Sequence, residues 1–257
     1  MRPLRPNPQS GFTLIEALVS CVVGAMLVTV LFQLWTANQR ATMRIGNKSD
    51  FRDRATLATT ALTRSITMAG FGLSKLDVVF RTHAETGDTL TVYSNPDERR
   101  TTLWDTAAEG ATSIRVFTDT GFTIGGRLGI TDSLQQEYAT IASISGDSAH
   151  GFLLGLSAPI SHRYNPGVPD IFPVQKEKFY IDRQHQALMR KVDGTDITLA
   201  QGITGFTVDL KDASGNEATS SKTIRVVTFS LIGTYKAPEG TFNQMRFSST
   251  VIPRNIL

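Results

Sequence analysis

With 257 residues, 40% of them hydrophobic and 19% charged, the chain can bury the core of one large domain or two small ones, which excludes a disordered or low-complexity class. Lys and Arg outnumber Asp and Glu by 26 to 23, too even a balance for a dedicated polyanion binder, and no run of like charges stands out. Cys21 is the one cysteine, so there is no internal disulfide and no Cys/His cluster for zinc. Repeat periods are not visible, and the only linker-like block is the Asn/Pro-rich stretch Tyr164 to Pro173.

The first element runs from Phe12 to Trp35, 24 residues of which only Thr13, Glu16, Ser20, Thr29 and Gln33 are polar. As a helix it is roughly 36 Å long at about 1.5 Å per residue, enough to cross a hydrocarbon core of about 30 Å. Arg2 and Arg5 precede it, which by the positive-inside tendency keeps the N-terminus cytoplasmic and sends the remainder outward. A cleaved signal peptide needs small residues one and three positions before a cut beyond the apolar run. Ala37 has Trp35 two residues before it, and Ala41 has Gln39, so neither qualifies. A plain signal anchor leaves Glu16 unexplained, because a carboxylate in a span costs on the order of 2.5–3.5 kcal/mol on insertion scales and calls for a partner. No Lys or Arg stands three or four residues from it, so the expected partner is another molecule or a newly made terminus.

Gly11-Phe12-Thr13-Leu14-Ile15-Glu16 resembles the processing site of type IV prepilins and pseudopilins. The resemblance implies cleavage after Gly11 by a membrane prepilin peptidase, N-methylation of Phe12 as the new terminus, and pairing of Glu16 with the terminal amine of a neighbouring subunit. The stretches Asp50 to Ala55 and Ala61 to Gly72 look like minor pilins of the PilW type, with Ser65 and Thr67 standing where that type usually carries charges. The ending Ser249 to Asn255 is similar to those of PilW and of J-type pseudopilins of type II secretion. The implied role is a minor pilin, a low-abundance subunit that primes or caps assembly of a type IV pilus. The alternatives are a type II secretion pseudopilin and a DNA-uptake minor pilin. Implied partners are the prepilin peptidase, other major and minor pilins along the N-terminal helix, and the inner-membrane assembly platform; neither an enzymatic activity nor a cofactor is expected. The implied location is the inner membrane, with the C-terminal domain outside the cytoplasm, and then a pilus or pseudopilus.

Helical periodicity continues through Phe51, Ala55, Ala58, Leu62, Ile66 and Ala69, one apolar stripe, opposite Arg52, Asp53, Thr56, Thr59, Thr60 and Thr63. Gly70 and Gly72 provide the stop, giving a helix of 55–60 residues that could break at Gly46-Asn47. Family members often loosen around a Gly and a Pro in the membrane half; here Gly24 is present and no proline lies between 12 and 70. Beyond Gly72, β-branched runs predict strands at 77–82, 89–94, 113–118, 127–131, 137–145, 152–157, 178–182, 187–191, 206–211, 223–233 and 243–251. Turns are expected at Asp193-Gly194 and Asp212–Asn216. The expected fold is α+β: a type IV pilin-like long helix packed on a mostly antiparallel β domain over 71–257, with 110–173 forming a small β-barrel-like insert. The expected divisions before it are a leader over 1–11, a span over 12–35 and an amphipathic helix over 36–70.

Three further patterns are weighed for chemistry. Gly146-Asp147-Ser148 with His150, and His83, His162 and His185 as bases, would suit a nucleophile, but the same step reads as a hairpin turn. Gly121, Gly125, Gly126 and Gly129 lack the spacing of a phosphate loop. Asp209, Asp212, Asn216 and Glu217 could wrap a Ca²⁺ as oxygen ligands, without EF-hand spacing, and no other metal site is expected. DNA binding would require Arg99-Arg100, Arg163, Arg190-Lys191 and Arg225 to converge on one face. Without its leader and the leader's two arginines the chain has 24 basic and 23 acidic residues, a net charge of +1, so nucleic acid is not an expected partner.

Overall fold

The computed structural model describes residues 13–73, 79–82, 87–132, 134–218, 220 and 223–255. The chain divides into two compact units, one running to Asp50 and including Lys236–Thr241, the other made of Phe51–Tyr235 and Phe242 onward. One helix, α1 (Leu14–Thr67, 54 residues), supplies the start of both. It is unbroken at Gly46-Asn47, contrary to the expected interruption: one glycine lowers helix propensity by only about 1 kcal/mol, and no proline removes a backbone donor there. In the first unit the apolar residues of α1 are exposed throughout, and the turn at its far end holds the helix through Asn47 Nδ2, which donates to Lys236 O at 3.1 Å.

In the second unit the amphipathic stripe does the packing. Phe51, Ala55, Ala58, Leu62 and Ile66 are buried, each three or four residues from the last, as a 3.6-residue period requires. Phe51, Ala58, Leu62 and Ile66 join Leu90, Phe179, Leu188, Phe206, Phe229 and Leu231 in one core. The helix ends where Gly70 and Gly72 take positive φ (77° and 68°), which only glycine adopts without strain, and the Gly70 N–H leaves the helix to donate to Tyr93 O at 2.9 Å.

The strands are β1 (Val79–Thr82), β2 (Thr89–Ser94), β3 (Ser113–Val116), β4 (Arg127–Thr131), β5 (Gln136–Asp147), β6 (Gly151–Leu156), β7 (Asp170–Asp182), β8 (Ala187–Val192), β9 (Thr195–Gln201), β10 (Ile203–Lys211), β11 (Val226–Lys236) and β12 (Phe242–Val251). One sheet runs β1-β2-β7-β4-β5-β6-β3 with β8 and β9 added beside β7, and a second runs β10-β11-β12. The registered pairs are antiparallel. Together with α1 this is the α+β, pilin-like architecture expected from the sequence.

The central strand β7 serves two neighbourhoods. Its first half pairs with β4 (Leu128↔Pro173), its second with β2 and β8 (Leu90↔Phe179, Glu177↔Val192). The block from Tyr164 to Pro173 is therefore not a linker: Ile171 and Phe172 are fully buried. Pro173 is tolerated because N–H groups alternate between strand edges. Ile171 N donates to Thr101 O at 2.8 Å, so the donor that Pro173 lacks would face the same edge, in the gap before β2 begins at Ser94↔Gln175. The bridges Thr101↔Ile171 and Leu103↔Val116 connect β7 to β3, closing β7-β4-β5-β6-β3 around a second core of Leu103, Ile114, Val116, Leu128, Ile130, Ile141, Leu154 and Tyr164. The strand β9 was not expected from the sequence. Its run TDITLAQ is polar and mostly exposed, and it is held by the hairpin whose turn residues Asp193 and Gly194 both have positive φ.

The Phe51 ring rests between Tyr235 and Phe247, centroids 6.1 and 5.9 Å away, and fills the space left by Gly233. A Cβ at Gly233 would overlap that ring and come within 2.7 Å of Gly202 O. Gly233→Ala is expected to destabilise the protein by about 1–3 kcal/mol. Combining it with Phe51→Leu should recover part of that loss in a double-mutant cycle by urea unfolding.

Candidate functional site

The site nominated by the sequence is the start of α1. Gly11 and Phe12 lie outside the described residues; Glu16 is in the first turn of the helix. Its carboxylate is not bare. Glu16 Oε2 accepts the Thr13 backbone N–H at 3.1 Å and the Thr13 hydroxyl at 3.0 Å, and Thr13 Oγ1 accepts the Glu16 N–H at 3.4 Å. This is a reciprocal capping box, satisfying donors that the helix start leaves over and placing the negative charge at the positive end of the helix dipole. Thr13-x-x-Glu16 is the sequence signal for this box, a role of Thr13 that the family resemblance does not imply. Because both bonds fall on Oε2, Oε1 has no protein donor among the described residues and is open to a cation. The same carboxylate can thus cap its own helix and bind another group.

From Leu14 to Trp35 the side chains around the helix are apolar and exposed, and this is the one helix among the described residues long and apolar enough to cross a membrane. Thr29 returns its hydroxyl to Ala25 O at 2.8 Å, so that polar group is satisfied within the helix. Cys21 is exposed on it.

The other candidates do not assemble into sites. Asp147 Oδ1 accepts the backbone N–H groups of Ala149 and His150, and His150 Nδ1 lies 3.0 Å away; these bonds tie up the β5–β6 turn and hold the Asp147 carboxyl below its usual range, the His150 N–H contributing most. Asp182 is lowered in the same way, first by the His185 side chain, in the β7–β8 turn. His150, His162 and His185 sit on three different loops, and His83 lies outside the described residues. Gly121, Gly125, Gly126 and Gly129 serve connections and close packing: Gly129 lies under Phe172 and Tyr138. Among the calcium candidates, Arg81 takes the place of a cation, bonded to Glu217 and 3.9 Å from Asp209, while Asp212 caps its own turn by accepting Ser214 N and Asn216 N. No three of His, Cys, Asp and Glu gather as a metal site among the described residues.

Four of the six cations considered for DNA pair with neighbouring carboxylates: Arg99 with Asp97 (3.0 Å), Arg100 with Asp170 (2.6 Å), Arg190 with Glu177 (2.7 Å) and Lys191 with Asp196 (3.1 Å). The Glu177 pair has a structural part that was not foreseen. Glu177 is buried, its Oε1 held by Arg190 Nη2 and its Oε2 by Ser65 Oγ at 2.5 Å, which fixes the polar flank of α1 to β7 and β8. Ser65 supplies the hydroxyl that completes this buried carboxylate's bonding.

Residues 6–32 match the family model for the prokaryotic N-terminal methylation motif. This N-terminal segment is type IV prepilin-like. No curated protein matches the chain. Among solved structures, the collagen-binding subdomain of the Enterococcus faecalis surface protein ACE aligns at 8% identity over 70% of this chain and 99% of that one, with a TM-score of 0.12, a likeness that carries no argument.

The two parts of the capping box can be separated. Thr13→Ala should raise amide exchange in the first turn about fivefold, whereas Glu16→Gln should leave it nearly unchanged, since Gln also serves at this capping position; hydrogen-exchange mass spectrometry of the full chain in detergent reads both.

Proposed function

We propose that this protein is a minor pilin, inserted as a prepilin through α1, cut between Gly11 and Phe12, N-methylated on Phe12, and then moved from the membrane into a type IV pilus, where it primes or caps assembly. The observation that carries the reading is the methylation motif over residues 6–32 running directly into an exposed apolar helix. The first turn of that helix, in turn, holds a carboxylate with one oxygen free of protein donors among the described residues. In this role α1 first satisfies its apolar face with lipid and later with the helices of neighbouring pilins. The ammonium of a neighbour's Phe12 binds Glu16 Oε1, in surroundings of low dielectric where such a pair is strong and a lone partner is costly.

Partners in this reading are the prepilin peptidase, other pilins and the inner-membrane assembly platform. In this reading the cut site carries the orientation; the positive-inside tendency expected from Arg2 and Arg5 is offset by Arg40, Arg44 and Lys48 beyond the span. The β-rich domain is then outside the cytoplasm.

Mass spectrometry of the membrane-extracted protein is expected to show N-methyl-Phe12 as the first residue; an intact leader overturns the reading. Glu16→Gln should be processed normally but lower the amount recovered in sheared pili at least about tenfold, the scale expected when one member of a buried charge pair is removed. The same features also support a type II secretion pseudopilin. Loss of twitching on deletion supports the pilus reading, and loss of protein secretion supports the pseudopilus.

A further inference from the structure

From Ala17 to Ser49 the chain contains no acidic residue, and its only cations are Arg40, Arg44 and Lys48. They are four apart on one unbroken helix, so they lie within roughly 80° on one face, and all three are exposed. A solvated helix face usually alternates its charges, because like charges at this spacing repel. The anion that reaches the row is Glu239, 3.8 Å from Arg44 Nη1, with the two side chains 58% and 50% exposed, a separation and exposure that leave the pair weak.

The position of the row relative to the apolar span suggests what neutralises it. Trp35 closes the apolar run, its ring tilted against Phe32 at a centroid distance of 6.0 Å, in the manner of aromatic residues at a hydrocarbon–water boundary. At about 1.5 Å per residue, the Cα atoms of Arg40, Arg44 and Lys48 lie roughly 7.5, 13.5 and 19.5 Å beyond it. The headgroup layer on each side of a bilayer is about 5–7.5 Å thick. Helical side chains tilt toward the helix N-terminus, which is here the direction of the span, so the row leans back onto that layer.

We propose that Arg40, Arg44 and Lys48 form a binding row for anionic phospholipid headgroups at the end of the span. The two guanidinium groups reach the phosphodiester, whose oxygens suit their fork of donors, and Lys48 adds its field from within about a Debye length, 8–10 Å at ordinary salt. The proposal rests on the reading that residues 13–35 span the bilayer. It adds a charge-based hold on the membrane to the apolar one.

The test uses the full chain with Trp104→Phe, which leaves Trp35 as the sole tryptophan of the two. The protein is placed in phosphatidylcholine vesicles containing about 30% phosphatidylglycerol, with bromines on the acyl chains of one lipid or the other as short-range quenchers of Trp35. Per brominated molecule, phosphatidylglycerol is expected to quench at least about twofold more than phosphatidylcholine. Arg40→Gln/Arg44→Gln/Lys48→Gln, or about 1 M salt, should bring the ratio to one while quenching by phosphatidylcholine persists. Equal quenching by the two lipids in the unaltered row overturns the proposal, as expected if a neighbouring subunit's carboxylates are the true partner. Enrichment that survives the triple substitution also overturns it. Absence of quenching by either lipid overturns the membrane span itself.

Discussion

Burial of one helical stripe, Phe51 to Ile66, is the contact on which the second unit depends. Ala55 and Ala58 are buried with little side-chain bulk to hold the backbone off, while Leu62 and Ile66 share one buried cluster with Phe179, Phe206 and Phe229. Buried polar groups beside this stripe need hydrogen-bond partners to offset their lost hydration. Ser65 is such a group and meets the carboxylate of Glu177, which Arg190 neutralises from β8. Asp88 does the same work on the outer edge of β10: its Oδ2 accepts Val208 N at 2.6 Å, and Arg81 donates to Val208 O at 2.9 Å. That edge would otherwise present an unpaired backbone to other chains.

The start of α1 obeys the opposite constraint. Its apolar residues are exposed on every side, and nothing in the chain covers them among the described residues. Such a surface has two stable environments, lipid and other apolar helices, and a carboxylate at its end must be tolerable in both. The capping box makes this physically reasonable: Oε2 is satisfied by Thr13 regardless of surroundings, so the cost of the acid is lowered in the membrane before any partner arrives. In the proposed pairing, a neighbour's ammonium would bind at Oε1 without breaking the cap.

How much of this was legible follows from how local each signal is. The helix was readable because two local patterns, an uninterrupted apolar run and a 3.6-residue stripe, join without a proline. Strands such as Thr89–Ser94 and Arg127–Thr131 were placed at their observed bounds, since Val, Ile, Leu and Thr fill them between turn residues. The first half of β7 was misread because Asn165, Pro166, Gly167, Pro169 and Pro173 look like a linker; whether Pro173 can sit in a strand depends on which edge lacks a partner, which is tertiary information. The strand β9 has too little apolar content to declare itself and exists through its hairpin with β8. In the trio Ser65, Glu177 and Arg190, the bond from Ser65 to Glu177 spans 112 residues, which no local rule detects. The capping box is local, and Thr13-x-x-Glu16 is its sequence signature.

On the proposed processing, the cut also changes the electrostatics of the span. The precursor has cations at both ends, Arg2 and Arg5 on one side and the row Arg40, Arg44 and Lys48 on the other. Removing the leader takes Arg2 and Arg5 away, and the new ammonium at Phe12 stands four residues from the carboxylate of Glu16, so that end approaches neutrality. The far end keeps its three charges, with Glu239 as a weak counterweight. Attraction to an anionic bilayer then acts at one end of the helix only. The end that must pass through the hydrocarbon on the way into a filament is the one left without net charge, which lowers the desolvation cost of its passage. A single peptide-bond cleavage thus creates the assembly contact and removes the charges that would hold the helix in place.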